Sequence, residues 1–154
     1  ALGRAQVLIV DWDVHHGNGT QALVEHDPTI RFVSMHQWPL YPGTGAASER
    51  GVGNIFNVPR PPGLPPERYL ADLTSAVETA TDGWSPDLVI ISAGYDSMAG
   101  DPLGGLTLEP PDYSVMVGRI RERCGGAPIV GLLEGGYAPT RVADGVIATL
   151  EALI

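Results

Sequence analysis

Four side chains able to bind a metal or carry a proton stand within one short stretch, Asp11-Trp-Asp13-Val-His15-His16, followed at once by Gly17-Asn18-Gly19. The run before them, Val7 to Val10, is apolar throughout and reads as a strand buried on both faces, as in a parallel sheet. If the chain stays extended past it, side chains alternate: Asp11, Asp13 and His15 project together, while Trp12, Val14 and His16 point the other way. The carboxyl end of a parallel strand is where open α/β folds bind ligands. Carboxylates so close together resist joint ionisation unless a cation lies between them, so the chemistry expected here is a metal centre. Two more residues follow apolar runs in the same way: Asp96 after Leu88 to Ala93, and Tyr137, on a Gly-Gly turn, after Ile129 to Leu133. Asp13, His15 and Asp96 would form a three-ligand site with positions left for water and substrate, as catalytic zinc requires. Such a metal polarises a carbonyl and lowers the pKa of water. The Tyr137 hydroxyl would then donate to the oxyanion that forms when water adds.

The elements that must position these residues alternate. Helices are expected over Asn18 to His26, Glu67 to Asp82 behind Pro66, Pro111 to Arg123, and from Thr140 onward; strands are expected over Arg31 to Met35, Asn54 to Val58, Leu88 to Ala93 and Ile129 to Leu133. Alternation of this kind implies right-handed crossovers and an α/β fold, a parallel sheet with flanking helices. The polar residues that follow strands then converge on one sheet edge. The long stretch His36 to Gly53, holding Tyr41-Pro-Gly-Thr-Gly45, reads as a functional loop.

At 154 residues and 44% hydrophobic, the chain can bury one core, and one domain is expected. Nine Lys and Arg against 18 Asp and Glu give a net charge of −9, which argues against nucleic acid or an anionic membrane as partner. Cys124 is the single cysteine, so no intrachain disulfide forms, and no apolar run reaches the length of about 18 residues that a membrane span needs. A cytoplasmic protein is expected. The chain opens without Met and enters a strand of central type almost at once, which predicts a segment of something longer, with an apolar edge open to aggregation or homo-oligomer formation.

These motifs resemble the zinc-dependent histone deacetylase and acetylpolyamine amidohydrolase family, of the arginase-deacetylase fold, in its class II-like and bacterial members. The matching segments are Asp11-Trp-Asp13-Val-His15-His16-Gly17-Asn18-Gly19-Thr20, Tyr41-Pro-Gly-Thr-Gly45, Ser92-Ala-Gly-Tyr-Asp96 through Asp101-Pro-Leu-Gly-Gly105, and Leu133-Glu-Gly-Gly-Tyr137, in that order over nearly the whole chain. The resemblance implies Asp13, His15 and Asp96 as zinc ligands and Tyr137 as the carbonyl-polarising donor. It implies that Asp11 supports a catalytic histidine and shares a structural potassium ion with Asp13, His15, Ser34 and Met35, partly through backbone carbonyls. Tyr41 and Leu103 would line a tunnel for an acetylated amine, either acetyl-lysine in a peptide or an acetylpolyamine. An Asp, Asp, His set also accepts ferrous iron.

The resemblance further implies a tandem His-His general base and acid in a segment well before the Asp-x-Asp-x-His motif. No such segment stands in this chain, and His15-His16 cannot replace it, since one is assigned to the metal and the other to the opposite face. The chain is therefore expected to be the C-terminal part, residues 1–154, of a single deacetylase catalytic domain, incomplete on its N-terminal side and inactive alone. Two other readings compete: an arginase-like ureohydrolase with two manganese ions, which would need ligands for a second metal, and a non-catalytic binding module of the same fold.

Overall fold

The structure, a computed structural model, describes residues 6–154. Five strands, β1 (Val7–Asp11), β2 (Ile30–Gln37), β3 (Ile55–Arg60), β4 (Leu88–Ala93) and β5 (Ile129–Leu133), form one parallel sheet in the order β3-β2-β1-β4-β5. The helices are α1 (Asn18–Val24), α2 (Pro66–Ala80), α3 (Pro110–Arg123) and α4 (Pro139–Leu153). β1 lies between β2 and β4. Its Leu8 and Val10 are fully buried, as the unbroken apolar run requires of a strand covered on both faces. From β1 the chain steps outward through β2 to β3, then returns to the other side of β1 as β4. The strand order reverses at the β1–β4 boundary, and crevices outside the carboxyl ends of strands at such a reversal are where open α/β sheets hold ligands. Register aligns those ends, with Asp11 level with both Ser34 of β2 and Ser92 of β4.

The larger core lies between the sheet and α2, α3 and α4. Leu8, Val10 and Trp12 meet Leu73 and Val77 of α2 and Tyr113, Met116 and Ile120 of α3. Periodicity and capping explain these helices. α2 starts with Pro66 at its first position, and α3 starts in a capping box in which the Asp112 carboxylate accepts the Glu109 N–H at 2.8 Å. Arg60 and Arg68 share the Asp72 carboxylate on α2, which they hold below the usual carboxylate range against the opposing effect of its burial. The opposite face carries α1 and a small cluster of Ile9, Val24, Phe32 and Ile55.

Three expectations need correction. α1 ends at Val24 rather than His26, because the Asn54 amide takes the carbonyls of Val24, Asp27 and Ile30 (2.8, 3.0 and 2.8 Å), which turns the chain out of the helix. The third strand of the sheet runs to Arg60, since pairing with β2 continues through Pro59 and Arg60. The apolar edge also lies elsewhere than beside the first strand. β1 is paired on both sides; of the two edge strands, β3 and β5, it is β5 that exposes apolar side chains, with Val130, Leu132 and Leu133 exposed by 46, 49 and 67%.

Candidate metal centre

Beyond Asp11 the chain stops being a strand, and its own carboxylates cause this. Asp11 Oδ1 accepts the Asp13 N–H at 3.0 Å, and Asp13 Oδ1 accepts the His15 N–H at 2.8 Å, two successive side-chain turns that compete with extended backbone. Val14 N–H then donates to Asp96 Oδ1 at 2.8 Å, tying the segment after β1 to the one after β4. Side-chain alternation therefore fails past Trp12. Asp11 does not join Asp13 and His15; its carboxyl is held beneath them, against Gly17. His16 does not follow Trp12 and Val14 into the main core either. Its Nδ1 meets Thr44 Oγ1 and its Nε2 meets Gln21 Oε1, both at 2.8 Å, so it anchors the loop that carries Tyr41.

Asp13, His15 and Asp96 come together with donor atoms all within 4.8 Å of one another. His15 Nδ1 lies 3.0 Å from Asp13 Oδ1 and 3.2 Å from Asp96 Oδ2. Tetrahedral bonds of about 2.0–2.2 Å give ligand-to-ligand edges of about 3.3–3.6 Å, so the trio needs little adjustment to take a zinc-sized ion. Its electrostatics fit the same occupant. Asp96 is fully buried, its Oδ2 accepts no hydrogen bond, and burial, then the Asp13 charge, pushes its pKa up to about 7. Burial, again followed by Asp13, raises the Asp11 carboxyl well above its ordinary value. A divalent cation would satisfy the orphaned oxygen and offset the crowded negative charge.

The loop after β5 closes the site. Gly135 N–H donates to Asp13 Oδ2 at 2.9 Å, and Gly135 O accepts the Tyr95 N–H at 2.7 Å. A Cβ at Gly135 would strike the Asp96 and Asp13 carboxylate oxygens, so this turn approaches the donors as only glycine can. An open cleft of about 780 Å³ sits above, lined by Asp13, His15, Tyr41, Leu103, Glu134 and Tyr137 among others. The Tyr41 ring meets the His15 ring edge-on, with centroids 6.3 Å apart. Ser34 is level with Asp11, and Met35 beside it is buried, so the residues expected around potassium are neighbours; Ser34 Oγ bonds His36 Nδ1 at 3.0 Å. Burial, reinforced by His16, lowers the His36 pKa to about 4, which keeps that ring neutral.

Sequence reasoning missed Gly135 as the holder of Asp13 and Asp101 as the partner of the Tyr137 backbone, since both contacts join segments distant in the chain. The one local signal was an Asp two residues before Leu103, a spacing that favours a side-chain turn.

Residues 1–153 match the Histone deacetylase domain family. An uncharacterized protein of Synechocystis sp. is 44% identical over 153 residues, covering 99% of this chain and 50% of that protein. Histone deacetylase 15 of Arabidopsis thaliana is 41% identical over 162 residues, covering 100% of this chain and 29% of that protein. The crystal structure of the HDA15 HD domain superposes with a TM-score of 0.88 at 42% identity, over 97% of this chain and 46% of that one. The chain thus spans half the length of one of these curated relatives and less than a third of the other. Its parallel sheet, its flanking helices and the family match agree: this chain belongs to the histone deacetylase domain family, of the arginase-deacetylase fold.

Proposed function

We propose that the protein is a zinc-dependent amidohydrolase that removes an acetyl group from an acetylated amine, and that residues 1–154 are the C-terminal part of its catalytic domain. The observation that carries the reading is the buried Asp96 oxygen without a hydrogen bond, 3.2 Å from the Nδ1 of His15, which lines a cleft together with Asp13 and Tyr137. Asp13, His15 and Asp96 would hold the ion; bound there, it supplies Lewis acidity toward an amide carbonyl and a water molecule. Gly135 N–H and Val14 N–H keep the Asp13 and Asp96 carboxylates in place. Tyr137 donates its hydroxyl proton as a hydrogen bond to the carbonyl oxygen as negative charge develops there. Tyr41 and Leu103 form walls apolar enough to admit an alkyl chain. Asp11, Ser34 and Met35, with the backbone near Asp13 and His15, would surround a structural potassium ion that neutralises the Asp11 charge.

A histidine general base would come from outside the described residues. Three of the four histidines are committed elsewhere or far from the cleft: His16 to Thr44 and Gln21, His36 to Ser34 and Gly45, and His26 on the surface beside Glu25. His15 faces both Asp13 and Asp96. The open β5 edge, read with the shares of the relatives that the chain spans, fits further strands of the same domain pairing there, or self-association when they are missing. Among the described residues no helix is long and apolar enough to cross a membrane. The lone Cys124 is buried at the end of α3, which suits a cytoplasmic protein.

The test is product analysis with the complete protein and zinc, offered an acetyl-lysine peptide, an acetylpolyamine and arginine. Acetate from either of the first two supports the reading. Urea from arginine would favour the ureohydrolase, and no product with metal bound would favour a binding module.

A further inference from the structure

Tyr137 has a demanding position and little of its own to secure it. The residue is 51% exposed, and among the described residues no hydrogen bond fixes its hydroxyl. The turn that carries it is fastened step by step. Glu134 N–H donates to Ala93 O at 3.1 Å, and Gly135 bonds Asp13 and Tyr95. The last fastening, at Tyr137 itself, is made by a side chain. Tyr137 N–H donates to Asp101 Oδ2 at 2.7 Å. The other oxygen, Oδ1, accepts the Leu103 N–H at 2.9 Å. Asp101 is itself only 7% exposed and lies outside the cleft lining, although both residues it holds are in that lining.

We propose that Asp101 is a positioning residue for the hydrolytic step: one buried carboxylate bolts the backbone of the oxyanion donor Tyr137 to that of the wall residue Leu103. This rests on the deacetylase reading above. The chemistry requires a carboxylate at this position. Only an acceptor-only group presents an oxygen to each N–H, and an asparagine would turn its own NH2 against one of them. Asp101 touches no substrate, so its effect on the reaction passes through Tyr137. The hydroxyl must meet an oxygen whose place the metal ligands determine, and misplacement by about 1 Å can cost about 10²-fold in rate.

A double-mutant cycle in the complete protein, loaded with zinc and assayed on an acetyl-lysine peptide, separates this from general support of the fold. D101N should retain its metal, lower kcat by about 10-fold or more, a fraction of the loss expected from 1 Å misplacement, and speed hydrogen exchange at the Tyr137 amide. In a Y137F background, adding D101N should change kcat by less than about threefold, because residues acting as one unit are not additive. Should D101N not fold, D101S, which removes the second oxygen without added bulk, takes its place. Equal losses in both backgrounds, or wild-type kcat in the Asp101 variant, would overturn the inference and leave the deacetylase reading standing. A wild-type protein that binds zinc yet releases no acetate from any acetylated amine would remove both.

Discussion

Gly135→Ala tests how closely the turn after β5 is built onto the metal donors. A Cβ added to the existing backbone would lie 2.5 Å from Asp13 Oδ2 and closer still to Asp96 Oδ2, whereas ordinary contact begins at 3.4 Å. One of the two sides must yield by at least about 0.9 Å, the shortfall at Asp13, and by more at Asp96. The backbone resists, because the Gly135 N–H and C=O are bonded to Asp13 and Tyr95 at 2.9 and 2.7 Å. The carboxylates must therefore move, several times further than the tolerance of about 0.2 Å on metal–ligand distances. Loss of ligand alignment costs about 10–100-fold in metal affinity even when only supporting groups change, so a fall of at least about 10²-fold is expected here. Gly135 is not among the glycines at positive φ, so alanine brings no backbone strain of its own. Gly118→Ala, on the exposed face of α3 with nothing within 4 Å, is the control and should bind zinc normally. The assay is competition for zinc with a chelating dye. G135A binding zinc within about threefold of wild type, less than the loss of one supporting group, would refute the placement of the ion between Asp13 and Asp96.

Other consequences are open to direct measurement. Tyr137→Phe should leave zinc content unchanged and lower kcat by about 10²-fold or more, the scale of losing one oxyanion donor; unaltered kcat would return Tyr137 to an ordinary loop residue. Asp96 ionises near pH 7 in the metal-free fold against an ordinary value of 3.8, so the folded state holds the extra proton between these values. The metal-free protein should therefore lose stability as pH rises from about 4 to about 7, and zinc affinity should rise about tenfold per pH unit up to about 7, then level off. Flat affinity from pH 5 to 7, in titrations corrected for buffer, would show that no proton leaves. Tyr113 buries a hydroxyl without a partner, so Tyr113→Phe should be neutral or raise stability by up to about 1 kcal/mol; a clear drop in Tm would reveal a bonded hydroxyl. The 154 residues expressed alone should self-associate through β5 and show little turnover, which gel filtration and an acetyl-lysine reporter can check; an active monomer would place the general base within them.

Much of this site was legible because strands announce themselves by unbroken apolar runs, and parallel topology brings the residues after each run to one edge. Asp13 and His15, Asp96, and Tyr137 come from three segments far apart in the chain, yet Asp96 meets the first pair and Tyr137 lines one cleft with them for that reason. The fate of Asp11 and His16 was not legible. Alternation holds only while the backbone bonds to neighbouring strands, and here the Asp11 and Asp13 carboxylates capture the N–H groups two residues on. Asp101 escaped notice because its partner lies 36 residues away and is a backbone N–H, which no side-chain pattern records. The open edge was anticipated beside the wrong strand, since a strand order is not contained in the order of elements.

In the proposed reaction, Asp13, His15 and Asp96 hold the ion on which acetyl hydrolysis depends. The most direct measurement is turnover of an acetyl-lysine peptide by the complete protein, stripped by chelator and titrated back with zinc, beside His15→Ala treated alike. Activity should vanish on stripping and return in proportion to zinc up to one equivalent, while His15→Ala should neither bind that equivalent nor recover. Turnover that persists after chelation, or full recovery in His15→Ala, would show that hydrolysis does not depend on an ion at these residues.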